Sequence, residues 1–340
     1  MVRNRSFAAL AGATLVLALG AIVTAATGER AATHAPSDTR AFPALAAKLG
    51  AVASVGIERK TLRLDFVREG DHWLAVDKGD YPAAAPKIRR IALALADLTL
   101  VERKTREPKL YPRLAVEDPG RGRSTLVTLK DKRGATLAAL IIGRRRTDRL
   151  GEGRDGVYVR EPGHRQSWLA AGAFDISGDA ASWLDRRILD IPAKRIAKVT
   201  LIGADGKKLV ISRAKPGGAF AVEGAPAGAR FKSEMVTSEP TIALSSLALD
   251  DVEPAAKDPI PETGVVRARY QTFEGLDIDL RLVERGKTDW IAVSAAGSGK
   301  EAAEAKAIER RVKPWIYAIP SYKADLLKTT LASLLAPAKS

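Results

Sequence analysis

The chain has 340 residues, a formal net charge of +15 and no cysteine. The absence of cysteine excludes a disulfide scaffold, a cysteine-based zinc site and a thiol nucleophile. The excess of Lys and Arg favours anionic partners, although an Arg-rich composition can also produce such a charge without any specific partner.

Near the start of the chain, residues 7–27 form an uncharged run, FAALAGATLVLALGAIVTAAT, preceded by Arg3 and Arg5. A helix needs about 20 apolar residues to cross a bilayer core, and this run has that length. An uncleaved signal anchor is favoured because the core of a signal peptide has only about 7–15 residues. A cleaved signal peptide and a buried helix stay open as alternatives. The arginines predict a cytoplasmic N-terminus for a single-pass membrane protein, so that the body of the chain would be periplasmic or extracytoplasmic.

The next part of the chain has the pattern of strands around one helix. Alternating apolar and polar residues predict half-buried strands, and apolar residues at three- and four-residue spacing predict a helix. The predicted elements are strands at 55–57, 62–67 and 73–76, a sheet break at 80–82, a helix at 87–98, a strand at 100–102, a connector at 109–122, a hairpin at 124–129 and 136–142, a basic loop at 144–149, strands at 157–160 and 166–169, and a short helix at 180–187.

The same order of elements then recurs. The predicted elements are strands at 196–202, 208–211 and 219–222, a helix at 233–247 weakened by Pro240, a strand at 249–252, a hairpin at 265–270 and 276–282, a strand at 289–293, and helices at 300–312 and 322–335. Trp168 and Trp315 are 147 residues apart, as are Leu184 and Leu331. These spacings predict a duplicated unit of about 145 residues.

The patterns together predict an α+β fold after a single N-terminal transmembrane helix. It consists of tandem duplicated units of antiparallel or mixed sheet, with one or two helices each. The predicted domains are a signal anchor at residues 1–28, a tether at 29–50, a first α+β repeat at 51–192 and a second at 193–340.

No motif in the sequence indicates a chemical activity. His34, His72 and His164 have no other His or Cys at metal-ligand spacing. Residues 151–156 match G-x-G-x-x-G, but a strand follows them where nucleotide binding needs a helix, so a hairpin loop is predicted. No G-x-S-x-G sequence occurs. We therefore expect no enzymatic activity, no catalytic residue, no metal site and no cofactor.

One basic segment is a candidate binding site. Arg144, Arg145, Arg146 and Arg149 cluster in a predicted loop and could bind an anionic partner. The alternative interpretation is a solvated loop without a partner.

Several segments in one order resemble the bacterial domain-of-unknown-function family numbered 4340. They are the N-terminal anchor, Trp73 with the DYPA sequence at 80–83, ALADLTLVERKT at 94–105, GVYVR at 156–160 and WLDRRILDIP at 183–192. Members of that family resemble auxiliary parts of ABC-type export systems related to gliding motility, and no catalytic residues are established for them.

The resemblance implies a membrane-anchored periplasmic accessory protein that acts by binding other proteins. The implied partners are the inner membrane, an ABC permease and ATPase, and a gliding-motility-type auxiliary membrane protein, with no nucleic acid. The alternative is a cell-envelope binding protein for anionic lipid or glycan.

Overall fold

The structure is a computed structural model that describes residues 39–147, 155–176, 178–233 and 235–336. The predicted anchor at residues 7–27 and the first part of the tether lie outside the described residues. Among the residues that are described, no helix is long and apolar enough to cross a membrane.

The chain consists mostly of strands with a few short helices, which is an α+β organisation. In chain order the strands are β1 (Thr39–Arg40), β2 (Ser54–Arg59), β3 (Leu62–Glu69), β4 (His72–Ala75), β5 (Tyr81–Pro82), β6 (Thr99–Arg103), β7 (Thr125–Lys130), β8 (Thr136–Arg146), β9 (Gly156–Arg160), β10 (Ser167–Ala171), β11 (Arg187–Leu189), β12 (Ile196–Ile202), β13 (Lys208–Ser212), β14 (Ala221–Glu223), β15 (Leu247–Ala248), β16 (Asp251–Pro254), β17 (Val266–Thr272), β18 (Leu276–Arg285), β19 (Thr288–Gly297) and β20 (Trp315–Ile319). The α-helices are α1 (Leu45–Lys48), α2 (Ala85–Asp97), α3 (Tyr111–Leu114), α4 (Ala302–Val312), α5 (Ser321–Leu327) and α6 (Leu331–Leu334).

Two compact units share the chain, and they interleave in sequence. Of the described residues, unit 1 comprises those within 39–63 and 90–176, and unit 2 comprises those within 64–89 and 178–336. The chain passes from unit 1 to unit 2 within β3 and returns within α2. The repeat limits drawn from the sequence, at residues 192 and 193, stay a prediction.

Unit 1 is built on an antiparallel sheet with the strand order β1-β6-β10-β9-β8-β7-β2. All five residues of β9 are buried. A cluster of buried side chains lies against this sheet and draws on the connector after β6. Its members are Tyr111, Val116, Ile141, Tyr158 and Leu169. The connector that the sequence predicts at 109–122 therefore supplies part of the core.

Unit 2 is built on a second antiparallel sheet with the order β14-β13-β12-β17-β18-β19-β20-β16. In β18, Leu276, Ile278 and Leu280 are buried, whereas the alternating Asp277 and Asp279 are partly exposed. This period of two gives the sheet one apolar face and one charged face. Unit 2 also holds the β3-β4-β5 strands and the β11–β15 pair.

Helix α4 lies against β19 and approaches its backbone closely. A Cβ atom at Gly297 would stand 2.7 Å from Glu301 O and 2.9 Å from Ala305 Cβ. Glycine at this position therefore permits the close contact between the helix and the strand.

Six strands follow one order in both sheets. The order is β6-β10-β9-β8-β7-β2 in unit 1 and β16-β20-β19-β18-β17-β12 in unit 2. If these six strands are numbered 1 to 6 along the chain in each unit, the order across both sheets is 2-6-5-4-3-1.

The structure corrects the predicted helix at 233–247. Its described residues form turns and one 3-10 turn at Glu239–Ile242. Pro240 has no N–H for an α-helical hydrogen bond, and its ring would clash with the carbonyl four residues earlier. Ser246 has φ 48°, which also ends helical geometry. The prediction underestimated the effect of this proline.

Three smaller predictions were also wrong. Residues 80–82 do not break the sheet, because Tyr81–Pro82 pairs with β4 at an edge position where proline is tolerated. The helix at 180–187 is a single 3-10 turn, Ala181–Trp183. The last helix divides into α5 and α6 because the Thr330 hydroxyl accepts from Ser333 N and starts a new helix.

Candidate functional site

The arginines predicted as a basic loop lie at the end of a strand. Arg144, Arg145 and Arg146 are the last three residues of β8, which corrects their assignment to a loop. Arg149 lies outside the described residues. The strand extends further than predicted because Arg145 and Arg146 pair with Val157 and Gly156 of β9.

Two of these arginines already have partners within unit 1. The Arg145 guanidinium forms an ion pair with Asp155, with Nε 3.1 Å from Oδ2. The Arg146 guanidinium lies 6.0 Å from the ring centroid of Tyr158, within the range of a cation–π contact. Arg144 is exposed. Binding of an anionic partner by this segment stays a prediction.

A second charged region covers the partly exposed face of the unit 2 sheet. Arg269 and Asp279 form a two-point ion pair across β17 and β18, with distances of 2.8 and 3.1 Å. Arg281 pairs with Glu262 beside a groove of about 300 Å³. Most of the charge here is therefore compensated by neighbours.

An arginine surrounded by three glutamates joins the start of β12 to α4. Arg195 Nη1 and Nη2 both donate to Glu304 at 2.9 Å, and Nη2 also donates to Glu301 at 3.1 Å. The hydrogen bond from Arg195 lowers the pKa of Glu304, whereas the hydrogen bond with Glu304 raises the pKa of Glu301. Glu274 lies 3.5 Å from Arg195 Nε. The cluster uses its carboxylates to hold one arginine.

The described chain brings one serine next to a lysine. Lys87 Nζ donates to Ser182 Oγ at 3.0 Å, and Ser182 Oγ donates to Asp179 O at 2.8 Å. A lysine activates serine only as the neutral amine. Lys87 is buried, its Nζ also lies 4.1 Å from the Trp183 ring centroid, and the Ser182 hydroxyl donates to a backbone carbonyl, so both side chains make packing and capping contacts. The geometry thus favours a structural lysine.

A cavity with a mainly apolar lining lies in unit 2 and has a volume of about 550 Å³. Its aliphatic lining comes from the sheet and from the C-terminal helices. These side chains are Leu201, Leu209, Val266, Leu327, Leu331, Ala332 and Leu335. The remaining described lining residues are Gly203, Asp205, Lys207, Lys208, Lys328, Thr329 and Thr330.

Two sets of contacts hold the C-terminal wall of this cavity in place. Lys232 N donates to Leu334 O at 3.0 Å, and Ala336 N donates to Arg230 O at 2.8 Å. Lys328 Nζ lies 2.6 Å from Asp289 Oδ1 on β19. Although partial burial opposes the shift, the contact with the Asp289 carboxylate raises the pKa of Lys328. The wall therefore rests on contacts to the body of the unit.

Sequence reasoning did not find this cavity. Its lining comes from residues 201–209, Val266 and 327–335, which are far apart in the chain. The sequence predicted 322–335 as one continuous helix, whereas the turn at 328–330 gives the wall its shape. A local pattern of apolar residues cannot report such a meeting of distant segments.

Comparison with known proteins identifies the family. The sequence matches Domain of unknown function (DUF4340) over residues 73–265, which is more than half of the chain. The chain belongs to the DUF4340 family. No curated protein and no solved structure matches it. The match confirms the resemblance seen in the sequence motifs.

In this DUF4340 protein, no three His, Asp or Glu side chains are placed to hold a metal ion within the described part of the chain. Tyr81 and Tyr317 are buried in unit 2, and burial raises the pKa of both phenols above the ordinary range. Tyr81 Oη donates to Asp185 O at 3.0 Å. These phenols act as neutral hydrogen-bonding groups.

Proposed function

We propose that this protein is a non-catalytic accessory subunit of an ABC-type transport system of the kind related to gliding motility. The single observation that carries the proposal is its membership of the DUF4340 family, because members of that family resemble such auxiliary proteins. The apolar run at residues 7–27 supports an anchor in the inner membrane with the body in the periplasm.

The architecture is compatible with a role in binding. Two sheets supply extended surfaces, and the Arg269–Asp279 pair belongs to a charged face that could select a complementary partner. The polar cluster most similar to a nucleophile site, Lys87 with Ser182, has the features of a structural contact. These surfaces therefore favour a role in binding over a role in catalysis.

We further propose that the two sheets derive from a tandem duplication. The common strand order supports this proposal. Trp168 and Trp315 lie in β10 and β20, which have the same place in that order. Gly134 and Gly275 lie in the turns of the β7–β8 and β17–β18 hairpins, with φ of 81° and 97°.

Affinity purification tests the transport role. The tagged full-length chain is purified from membranes in a mild detergent, and co-purifying proteins are identified by mass spectrometry. We expect an ABC permease, its ATPase and a gliding-motility-type membrane protein. A matched purification of the Arg269→Glu/Asp279→Arg variant, which keeps the ion pair but reverses its direction, tests the charged face. Recovery of unrelated envelope proteins alone would exclude the transport role.

A second candidate function is binding of anionic lipid or glycan in the cell envelope. The observation that favours it is the exposure of Arg144 beside two further arginines at the end of β8. Its test replaces Arg144, Arg145, Arg146 and Arg149 by Gln and measures sedimentation with anionic liposomes at low salt, where surface charges act most strongly. Unchanged sedimentation would exclude this segment as the lipid-binding site.

A matched control removes the same amount of charge elsewhere. Lys109, Lys130, Lys132 and Arg133 are exposed residues in other parts of unit 1, and all four are replaced by Gln. Equal losses of liposome sedimentation in both quadruple variants would indicate that binding responds only to the net charge of the protein.

A further inference from the structure

We propose that the 550 Å³ cavity of unit 2 binds a single acyl chain that carries an anionic head group. This inference goes beyond the transport role and does not depend on it. The volume falls within the roughly 300–1,000 Å³ range of small-molecule sites. The ligand class follows from the shape and chemistry of the lining.

The apolar part of the cavity is aliphatic throughout. Its side chains are leucines, one valine and one alanine, and no aromatic ring occurs among the described residues that line it. Leu201, Leu209 and Leu327 are almost fully buried and form rigid parts of the lining. Such walls match a flexible hydrocarbon chain better than a flat aromatic ligand, which would gain from ring stacking. Removal of each CH₂ group of the chain from water adds to the free energy of binding.

The polar part of the cavity contains three lysines and one aspartate, Asp205. Lys207 and Lys208 come from the β12–β13 end of the sheet, and Lys328 comes from the opposite wall. Lys207 is paired with Asp205 at 2.9 Å, and Lys328 is paired with Asp289. Lys208 is exposed and forms no ion pair with any residue in the described ranges. Because the lysines of the lining outnumber its one aspartate and Lys208 is not paired within the described chain, a carboxylate or phosphate head is favoured at the mouth of this apolar space.

Photo-cross-linking tests the proposal with the full-length chain in lipid nanodiscs. The probe is a dodecanoic acid with a diazirine on its chain, and a matched probe carries a quaternary ammonium head. We expect the carboxylate probe to form adducts on peptides that contain residues 201–209 or 327–335, and unlabelled dodecanoate to compete. The cationic probe should label these peptides severalfold less.

Paired variants distinguish labelling inside the cavity from labelling through general contact with lipid. Ala332→Trp fills the cavity and Leu331→Asp places a charge in its lining, and each should reduce labelling about tenfold because overfilling and unpaired charge both cost binding energy. Ala307→Trp on the exposed side of α4 is the control for Ala332→Trp. Circular dichroism melts verify that each variant is folded.

The rim lysines are tested by charge reversal. Lys207→Glu/Lys208→Glu should reduce labelling by the carboxylate probe severalfold, whereas Lys287→Glu/Lys306→Glu at exposed positions away from the cavity should not. Equal labelling by both probes, adducts only outside the cavity, or a cross-linked dimer through this wall in place of lipid adducts would overturn the proposal.

Discussion

The guanidinium of Arg160 lies 4.6 Å from the ring centroid of Tyr111, and both side chains bind the same loop of unit 1. Arg160 Nη1 donates to His164 O at 3.0 Å, and Tyr111 Oη donates to Arg165 O at 2.7 Å. Arg160 Nε also donates to Val116 O at 2.9 Å. A charged group only 3% exposed is stable here because Nη2 pairs with Asp118, the other donors satisfy backbone carbonyls and a ring faces the cation.

Replacement of Arg160 by Met should therefore destabilise unit 1. We expect a loss of about 2–4 kcal/mol in the free energy of unfolding, because several carbonyls lose a charged donor. Urea denaturation measures the loss. The control is Arg145→Met, which removes an exposed ion pair with Asp155 and should cost less than about 1 kcal/mol. Equal losses in the two variants would contradict this interpretation.

Lys323 should stabilise the turn that replaces the predicted helix at 233–247. Its Nζ donates to Ile242 O at 3.1 Å and to Ser245 O at 2.6 Å, and burial lowers its pKa. Lys323→Met removes both hydrogen bonds but also the cost of burying the amine, so we expect a net loss of about 1–2 kcal/mol. Lys306→Met on the exposed side of α4 is the matched control. Amide hydrogen exchange at 242–246 should increase only in the first variant.

Alanine substitutions at Gly79 and Gly286 distinguish the cost of backbone strain from the cost of a steric clash. Their φ values are 68° and 65°, so an alanine costs similar backbone strain at both positions, about 1 kcal/mol. A Cβ at Gly79 would also stand 2.5 Å from Pro254 Cγ, whereas a Cβ at Gly286 meets no described atom within 4 Å. Gly79→Ala should thus lower the melting temperature more than Gly286→Ala. Equal shifts would show that the close contact relaxes freely.

The Arg195 cluster predicts a dependence of stability on pH. The hydrogen bond from Arg195 lowers the pKa of Glu304 below its ordinary value of 4.5, so its stabilisation is present above that pH. The stabilisation is lost as the pH falls through the lowered pKa. The raised pKa of Glu301 acts in the opposite sense, because its protonation favours the folded state.

Melting temperatures between about pH 7 and pH 3 test this sign. Glu304→Gln should lower the melting temperature at neutral pH and weaken its decline in acid. Glu301→Gln should have the smaller effect at neutral pH. Parallel curves for wild type and Glu304→Gln would show that other carboxylates cause the decline.

Local patterns predicted most strands and the two longer helices. Alternation at 62–67 and 276–282 corresponds to β3 and β18, and the spacing of Ile88, Ile91 and Leu95 corresponds to α2. These predictions hold because one face of each element is buried, which leaves a period of two or 3.6 in the sequence. The helix at 233–247 was wrong because apolar spacing was given more weight than Pro240.

The candidate site was less accessible from sequence. The run of arginines at 144–146 was visible as charge, but the contacts of Arg145 with Asp155 and of Arg146 with Tyr158 depend on the β8–β9 pairing. The lysines of the cavity rim are separated by more than 100 residues, from Lys208 to Lys328. No local sequence pattern indicates that two such distant lysines line one cavity.

The sequence by itself determined the α+β composition, the family and the candidate membrane segment, because these depend on composition, short periods and motif order. Only the tertiary structure decided the interleaving of residues 64–89 into unit 2, the common strand order of the two sheets and the cavity at the C-terminal helices. The physical reason is that strand pairing and cavity walls join residues that are distant in the chain. Which segments come together depends on tertiary packing, which no single segment encodes.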